Sequence, residues 1–167
     1  DGLASVLARL GNASQNIDRH RDALAYYQRS EETLGPQTTN RDLLSNIYWA
    51  RSESYAALRR WDQALSWARA ALQLGSASLA SEPTNTSFRI RVAWEQLSLG
   101  HALLGLASRT ERASGDTPLR QEAAAAYREG LRLATELQAA GALAGDDLPL
   151  IDEARAGLAQ AERELAK

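Results

Sequence analysis

The sequence predicts an all-α protein, a curved stack of three helix pairs closed by a seventh helix. Three observations carry that prediction. Leucine, alanine, arginine, glutamate and glutamine dominate every long segment, with none of the period-2 alternation or β-branched enrichment of a strand. Turn-forming residues interrupt these segments at 16–20, 35–40, 75–87, 107–118 and 140–149. Small residues recur inside the runs at matching intervals, which marks an internal repeat.

The first pair, about 2–35, carries Leu7, Leu10, Gly11 and Ser14 on its first helix. Twelve residues after the glycine comes Ala23, followed by Tyr27 and Ser30, with Gly35 as the stop and Pro36 beyond. The second pair, about 41–75, repeats the pattern with Tyr48, Arg51, Ser52 and Tyr55, then Ala64, Ala68 and Ala71, and ends at Gly75. In the third, about 87–140, Trp94, Leu97, Ser98 and His101 precede Ala123, Tyr127 and Gly130 across an interval of twenty-five. Thr117 reads as the cap of its second helix with Pro118 in the first turn, and Gly141 as the end. The last run, about 147–166, sets Ile151, Ala154, Leu158, Ala161 and Leu165 on one stripe, with Asp152, Arg155, Glu162 and Arg163 opposite. Such a helix caps a stack by covering the last apolar face. Asp146 and Asp147 precede it, where they would cap its first turn and complement its dipole.

The small residues have a packing reason. Two helices approach to about 8 Å only where the side chains at the crossing are small and larger apolar neighbours fill the groove beside it. Ala64 and Ala71 therefore let the second helix of their pair press on the first, and Trp61 fills the gap between units.

The sets Gly11, Ser52, Ser98, then Ala23, Ala64, Ala123, then Ser30, Ala71, Gly130 resemble the tetratricopeptide repeat, a helix-turn-helix unit of about 34 residues, over residues 4–140. The resemblance implies a right-handed α-α superhelical solenoid within one domain, 1–167, whose first helices line a concave groove. Residues of those helices not used in packing would face it: Ser5, Ala8, Arg9 and Asn12, then Asn46, Trp49, Ala50 and Glu53, then Val92, Glu95, Gln96 and Leu99. Arg9, Asn12, Asn46, Trp49, Glu53, Glu95 and Gln96 are the candidate peptide-binding residues. Trp49 is the strongest anchor if exposed, because aromatic side chains dominate binding hot spots; otherwise it packs beneath a neighbouring helix. Arg51 stands where the family has leucine, so either its stem packs with its head in water or the second register is off by one. Asn12 matches an asparagine of the clamp by which some members hold a chaperone C-terminal carboxylate. Ala8, Val92 and Gln96 replace the basic residues of that clamp, so chaperone-tail binding is not expected. Residues 123–147 with the acidic-basic helix that follows, about the last fifty residues, resemble the closing part of tetratricopeptide regions that follow bacterial serine/threonine protein kinase domains. That likeness implies a scaffold or input region of a larger signalling protein, with a kinase tethered ahead of Asp1. The compartment stays open: cytoplasmic, or periplasmic if that kinase spans a membrane.

Other chemistry finds little footing. A net charge of -2 and a pI near 5.7 provide no basic field for nucleic acid or anionic lipid. No apolar run approaches the roughly 18 residues of a membrane span. Arginine supplies the basic charge except at Lys167, a bias that suits a GC-rich bacterial genome, and the absence of initiator methionine at Asp1 suggests an excised or processed piece. Without cysteine, disulfides and thiolate sites are excluded. His101 is expected as a packed, hydrogen-bonded side chain and His20 as a solvated one. With no HExxH, no GxSxG elbow and no phosphate-cradling glycine loop, the reading is non-catalytic, with no cofactor and no metal. Arg51, Arg59, Arg60, Arg89 and Arg91 are expected on solvated faces, paired with Glu53, Asp62 or Glu95. A small-ligand receptor or enzyme of helical-solenoid fold is the alternative.

Overall fold

The computed structural model describes residues 2–36, 38–109 and 116–166. Among the described residues the chain forms seven α-helices and no strand: α1 (Gly2–Gln15), α2 (His20–Leu34), α3 (Arg41–Ala57), α4 (Trp61–Ser81), α5 (Thr86–Ala107), α6 (Thr117–Ala139) and α7 (Leu150–Leu165). Each helix packs on its neighbour in sequence, and α1, α3, α5 and α7 also touch in succession. Asp1, Gln37 of the expected 35–40 turn, residues 110–115 of the expected 107–118 loop and Lys167 lie outside the described residues.

Local chemistry explains five of the helix ends. Asn40 and Asn85 cap α3 and α5, their side-chain oxygens accepting from Leu43 N and from Ser87 N and Phe88 N. At the end of α6, Gly141 takes φ 66° while Gly141 N and Ala142 N donate to the carbonyls of Gln138 and Leu137, a Schellman stop. The turns after α1 and α3 use the same two bonds with Asp18 (φ 59°) and Arg59 (φ 56°) in the left-handed position. Gly75 corrects the expected stop at the end of the second pair. It lies inside α4, buried, because a side chain there would collide with the carboxyl of Glu95. Asp146 and Asp147 likewise do not cap α7; they lie in a 3-10 turn, Gly145–Asp147, and Pro149 holds the N-cap position.

The crossings within pairs repeat one contact set. Gly11 sits against the ring of Tyr27, and Ser30 Oγ donates to the Ala4 carbonyl at 2.7 Å. In the second pair Ser52 Oγ donates to the Ala64 carbonyl at 2.9 Å, and Ser45 Oγ lies 3.4 Å from the Ala71 carbonyl. In the third, Gly100 sits against Tyr127, and a Cβ at Gly130 would lie 3.2 Å from the Ala93 carbonyl. Ala4 and Gly11, Ser45 and Ser52, and Ala93 and Gly100 are each seven apart, so the residue equivalent to Gly11 and Ser52 is Gly100 and not Ser98. This corrects the third register by two residues. Ala23, Ala64, Ala71 and Ala123 are fully buried at these crossings.

Between pairs the seams are polar as well as apolar. Arg51 is buried, pairs with Glu31 of α2 and lies 4.1 Å over the Trp67 ring of α4, so its head is neither in water nor misregistered. Tyr48 donates to Glu31 Oε1 at 2.9 Å beside the same indole. Trp61 fills the space over Gly105 between α4 and α5. Arg91 pairs with Asp42, Arg89 with Glu136, and Asp62 with Arg109, which corrects the expected partners. The α7 helix buries Leu150, Ile151, Ala154 and Ala161 against the α5–α6 core.

Candidate binding groove

The corrected register defines which side chains share one face. At the spacing that places Ser5, Ala8, Arg9 and Asn12 on α1 and Asn46, Trp49, Ala50 and Glu53 on α3, the α5 residues are Trp94, Leu97, Ser98 and His101. Two cavities, of about 410 and 300 Å³, lie away from this set around α2, while three others follow it. One of about 260 Å³ is lined by Ser5, Ala8, Arg9, Asn12, Tyr27 and Asn46. A second, of about 380 Å³ and mostly apolar, runs between Asn46, Trp49, Ile90, Arg91, Trp94 and Asp147. A third, of about 160 Å³, is walled by Trp49, Glu53, Trp94, Ser98, His101, Tyr127 and Glu153. Asn46 joins the first to the second, and the two indoles join the second to the third.

Five of the seven sequence-predicted residues therefore line one continuous groove: Arg9, Asn12 and Asn46 are exposed, and Trp49 and Glu53 are half-buried. Glu95 does not. It is fully buried on the opposite side of α5, where Ser45 Oγ donates to Oε1 at 2.5 Å, Oε2 has no partner, and Gly75 leaves room for the carboxyl. Burial pushes its pKa up to about 8 against the opposing effects of the Ser45 hydrogen bond and the Arg91 charge. Gln96 is half-buried beside Gly130 of α6, and Val92 and Leu99 are core. One cause accounts for all four. Two residues on a helix are a rotation of about 200°, so a two-residue register error exchanges the groove face for the packed one.

The groove's hydrogen bonds hold its aromatic walls. Trp49 Nε1 donates to Ser98 Oγ at 2.8 Å, and Ser98 Oγ donates to Glu53 Oε1 at 2.5 Å. Trp94 Nε1 donates to Asp147 Oδ1 at 2.8 Å, the role that Asp147 plays in place of a helix cap. The two indole rings stand 6.5 Å apart, tilted by 43°. Tyr127 is wedged between Gly100 of α5 and Gly157 of α7, which fixes its ring at the recess wall. Its hydroxyl is held far above the ordinary value by burial and then by the charges of Glu53, Glu153 and Glu164. His101 is exposed, its ring edge-on to Trp61 with the ring centroids 5.5 Å apart, rather than packed in the core. His20, expected in solvent, is half-buried at the start of α2, 3.7 Å from Asp18.

A serine beside a carboxylate invites a nucleophilic reading, which the geometry opposes. Ser98 already accepts from an indole, its partner is a carboxylate rather than an imidazole, and it lies in mid-helix, where the backbone N–H groups that could bind an oxyanion are committed. Among the described residues no group of three His, Cys, Asp or Glu is placed to hold a metal ion, and no helix is long and apolar enough to cross a membrane. Comparison of the chain with protein-family models, curated proteins and solved structures finds no match in any of the three.

Sequence reasoning missed Trp94, Ser98 and His101 as groove residues. The signal that finds them is the seven-residue spacing of small residues on each first helix, which picks Ala93 and Gly100 without counting across the long connection to α6.

Proposed function

We propose that this chain is a non-catalytic peptide-binding module of the tetratricopeptide type, which lays an extended or helical segment of a partner protein along the face shared by α1, α3 and α5. The observation that carries the reading is the line of three joined cavities built from equivalent positions of three helix pairs. A repeated scaffold that presents equivalent side chains at regular steps suits a ligand with its own regular backbone. Trp49 and Trp94 at its centre are rigid, amphipathic anchors of the kind that dominate binding energy. The wider placement, as the scaffold or input region of a bacterial signalling protein that carries a serine/threonine kinase, rests on the likeness of about the last fifty residues alone.

The test is peptide display against the immobilised protein, followed by calorimetry of a selected peptide. Trp49→Ala should weaken binding by about tenfold or more, a loss of at least about 1.4 kcal/mol. Asn46→Arg, at an exposed site where two cavities meet, should also weaken it while leaving the melting temperature unchanged. Selected peptides that bind both variants as tightly as the parent protein would place the binding surface elsewhere.

A further inference from the structure

We propose that the recess between α3, α5, α6 and α7 receives a cationic side chain, arginine or lysine, of the peptide that lies in the groove. The inference rests on the groove reading and adds the chemistry of the ligand. The recess, about 160 Å³, has room for one side-chain head group. Its walls are π systems, Trp49, Trp94 and Tyr127, with carboxylates at Glu53 and Glu153. Aromatic faces backed by carboxylates attract a desolvated ammonium or guanidinium through ring quadrupole and charge together.

Ser98 and the two indole N–H groups are already hydrogen-bonded, but other polar atoms of the recess are left open toward such a guest. Tyr127 is only 6% exposed, yet its hydroxyl makes no hydrogen bond among the described residues. Glu53 spends Oε1 on Ser98, and Oε2 takes no hydrogen bond among the described residues. Arginines pair with carboxylates across the α2–α3, α3–α5, α4–α6, α5–α6 and α6–α7 seams, but among the described residues none reaches Glu53 or Glu153. Among the described residues no arginine or lysine lines the recess. Glu153 is held above the ordinary carboxylate value by partial desolvation and then by the Glu53 charge, a repulsion that a bound cation would relieve.

The experiment titrates isotope-labelled protein with N-acetyl-arginine amide, with the neutral N-acetyl-norleucine amide, and with choline, reading the Trp49 and Trp94 indole N–H resonances. The arginine amide should shift both saturably, with a midpoint about fivefold lower than the norleucine amide. The Glu53→Gln, Glu153→Gln double variant should lose that preference. If the double variant does not fold, Glu153→Gln alone, at an exposed residue, should reduce it. Equal responses to the arginine and norleucine amides, or a preference that survives removal of the carboxylates, would overturn the proposal. Choline binding more tightly than the arginine amide would overturn the assignment to a peptide side chain in favour of a small quaternary ammonium. A groove peptide that engages Trp49 without any basic residue would sink this inference and leave the groove reading intact. Selective arginine uptake in a protein that selects no peptide would do the reverse.

Discussion

Glu95 has the most unusual environment of any ionisable side chain on α5. Its carboxyl sits fully buried between Ser45 and Gly75, with a pKa pushed from 4.5 up to about 8. The folded state therefore keeps a proton that the unfolded chain releases above about pH 4.5, and stability falls as pH rises from there through about 8. Glu95→Gln, which keeps the shape and can still accept from Ser45, should flatten that dependence. At about pH 9 it should be more stable than the parent by roughly 1–3 kcal/mol, and at about pH 4 nearly equal to it. Thermal melts across this range check it, and parallel profiles for the two proteins would contradict it. At this scale the sequence was a poor guide. Glu95 and Glu53 are both helical glutamates, one in the core and one in the groove, and only knowing which neighbours are glycine and serine across a seam separates them. Arg51 is similar, because its burial depends on Glu31 and Trp67 from two other helices.

At the scale of a helix, the register of α5 decides what the groove contains. Tyr127 is held between Gly100 and Gly157, so a Cβ at Gly100, 2.7 Å from Tyr127 Cε2, cannot be relieved by moving the ring. Gly100→Ala should cost about 1–3 kcal/mol in chemical denaturation, less the gain of about 1 kcal/mol that alanine brings to a helix. A more stable Gly100→Ala protein would return the third register to Ser98. In the turn after α3, Arg59 occupies the left-handed region that Gly141 fills after α6. Arg59→Gly should therefore stabilise the protein by about 0.5–1 kcal/mol, read as a rise in melting temperature, whereas glycine inside a helix would lower it. The helices themselves were legible, since turn residues and apolar periods mark all seven runs. So were the first two registers, where a short turn keeps the interval from Gly11 to Ala23 equal to that from Ser52 to Ala64. The third was not, because α5 runs on past the point where α1 and α3 turn and the interval across its connection loses its meaning. The stop read at Gly75 failed for a related reason: the glycine that sequence reads as a terminator makes room for a neighbouring helix.

Across the whole molecule, the pairs build a face that no single helix contains. Arg9 and Asn12 come from α1, Asn46, Trp49 and Glu53 from α3, and Trp94, Ser98 and His101 from α5, while α6 and α7 close the recess with Tyr127 and Glu153. The α1 and α3 parts follow from helical spacing, but the contribution of α7 depends on how the last helix docks, which its amphipathic stripe alone does not specify. The four tryptophans divide this molecule usefully. Trp49 and Trp94 line the groove, whereas Trp67 stacks with Tyr48 and Arg51 on another seam and Trp61 covers Gly105. The most direct measurement is therefore fluorine NMR of protein carrying 5-fluorotryptophan, with and without a display-selected peptide. The groove account predicts that the Trp49 and Trp94 resonances move while Trp67 stays; a peptide that moves Trp67 and leaves Trp49 and Trp94 unchanged would contradict it.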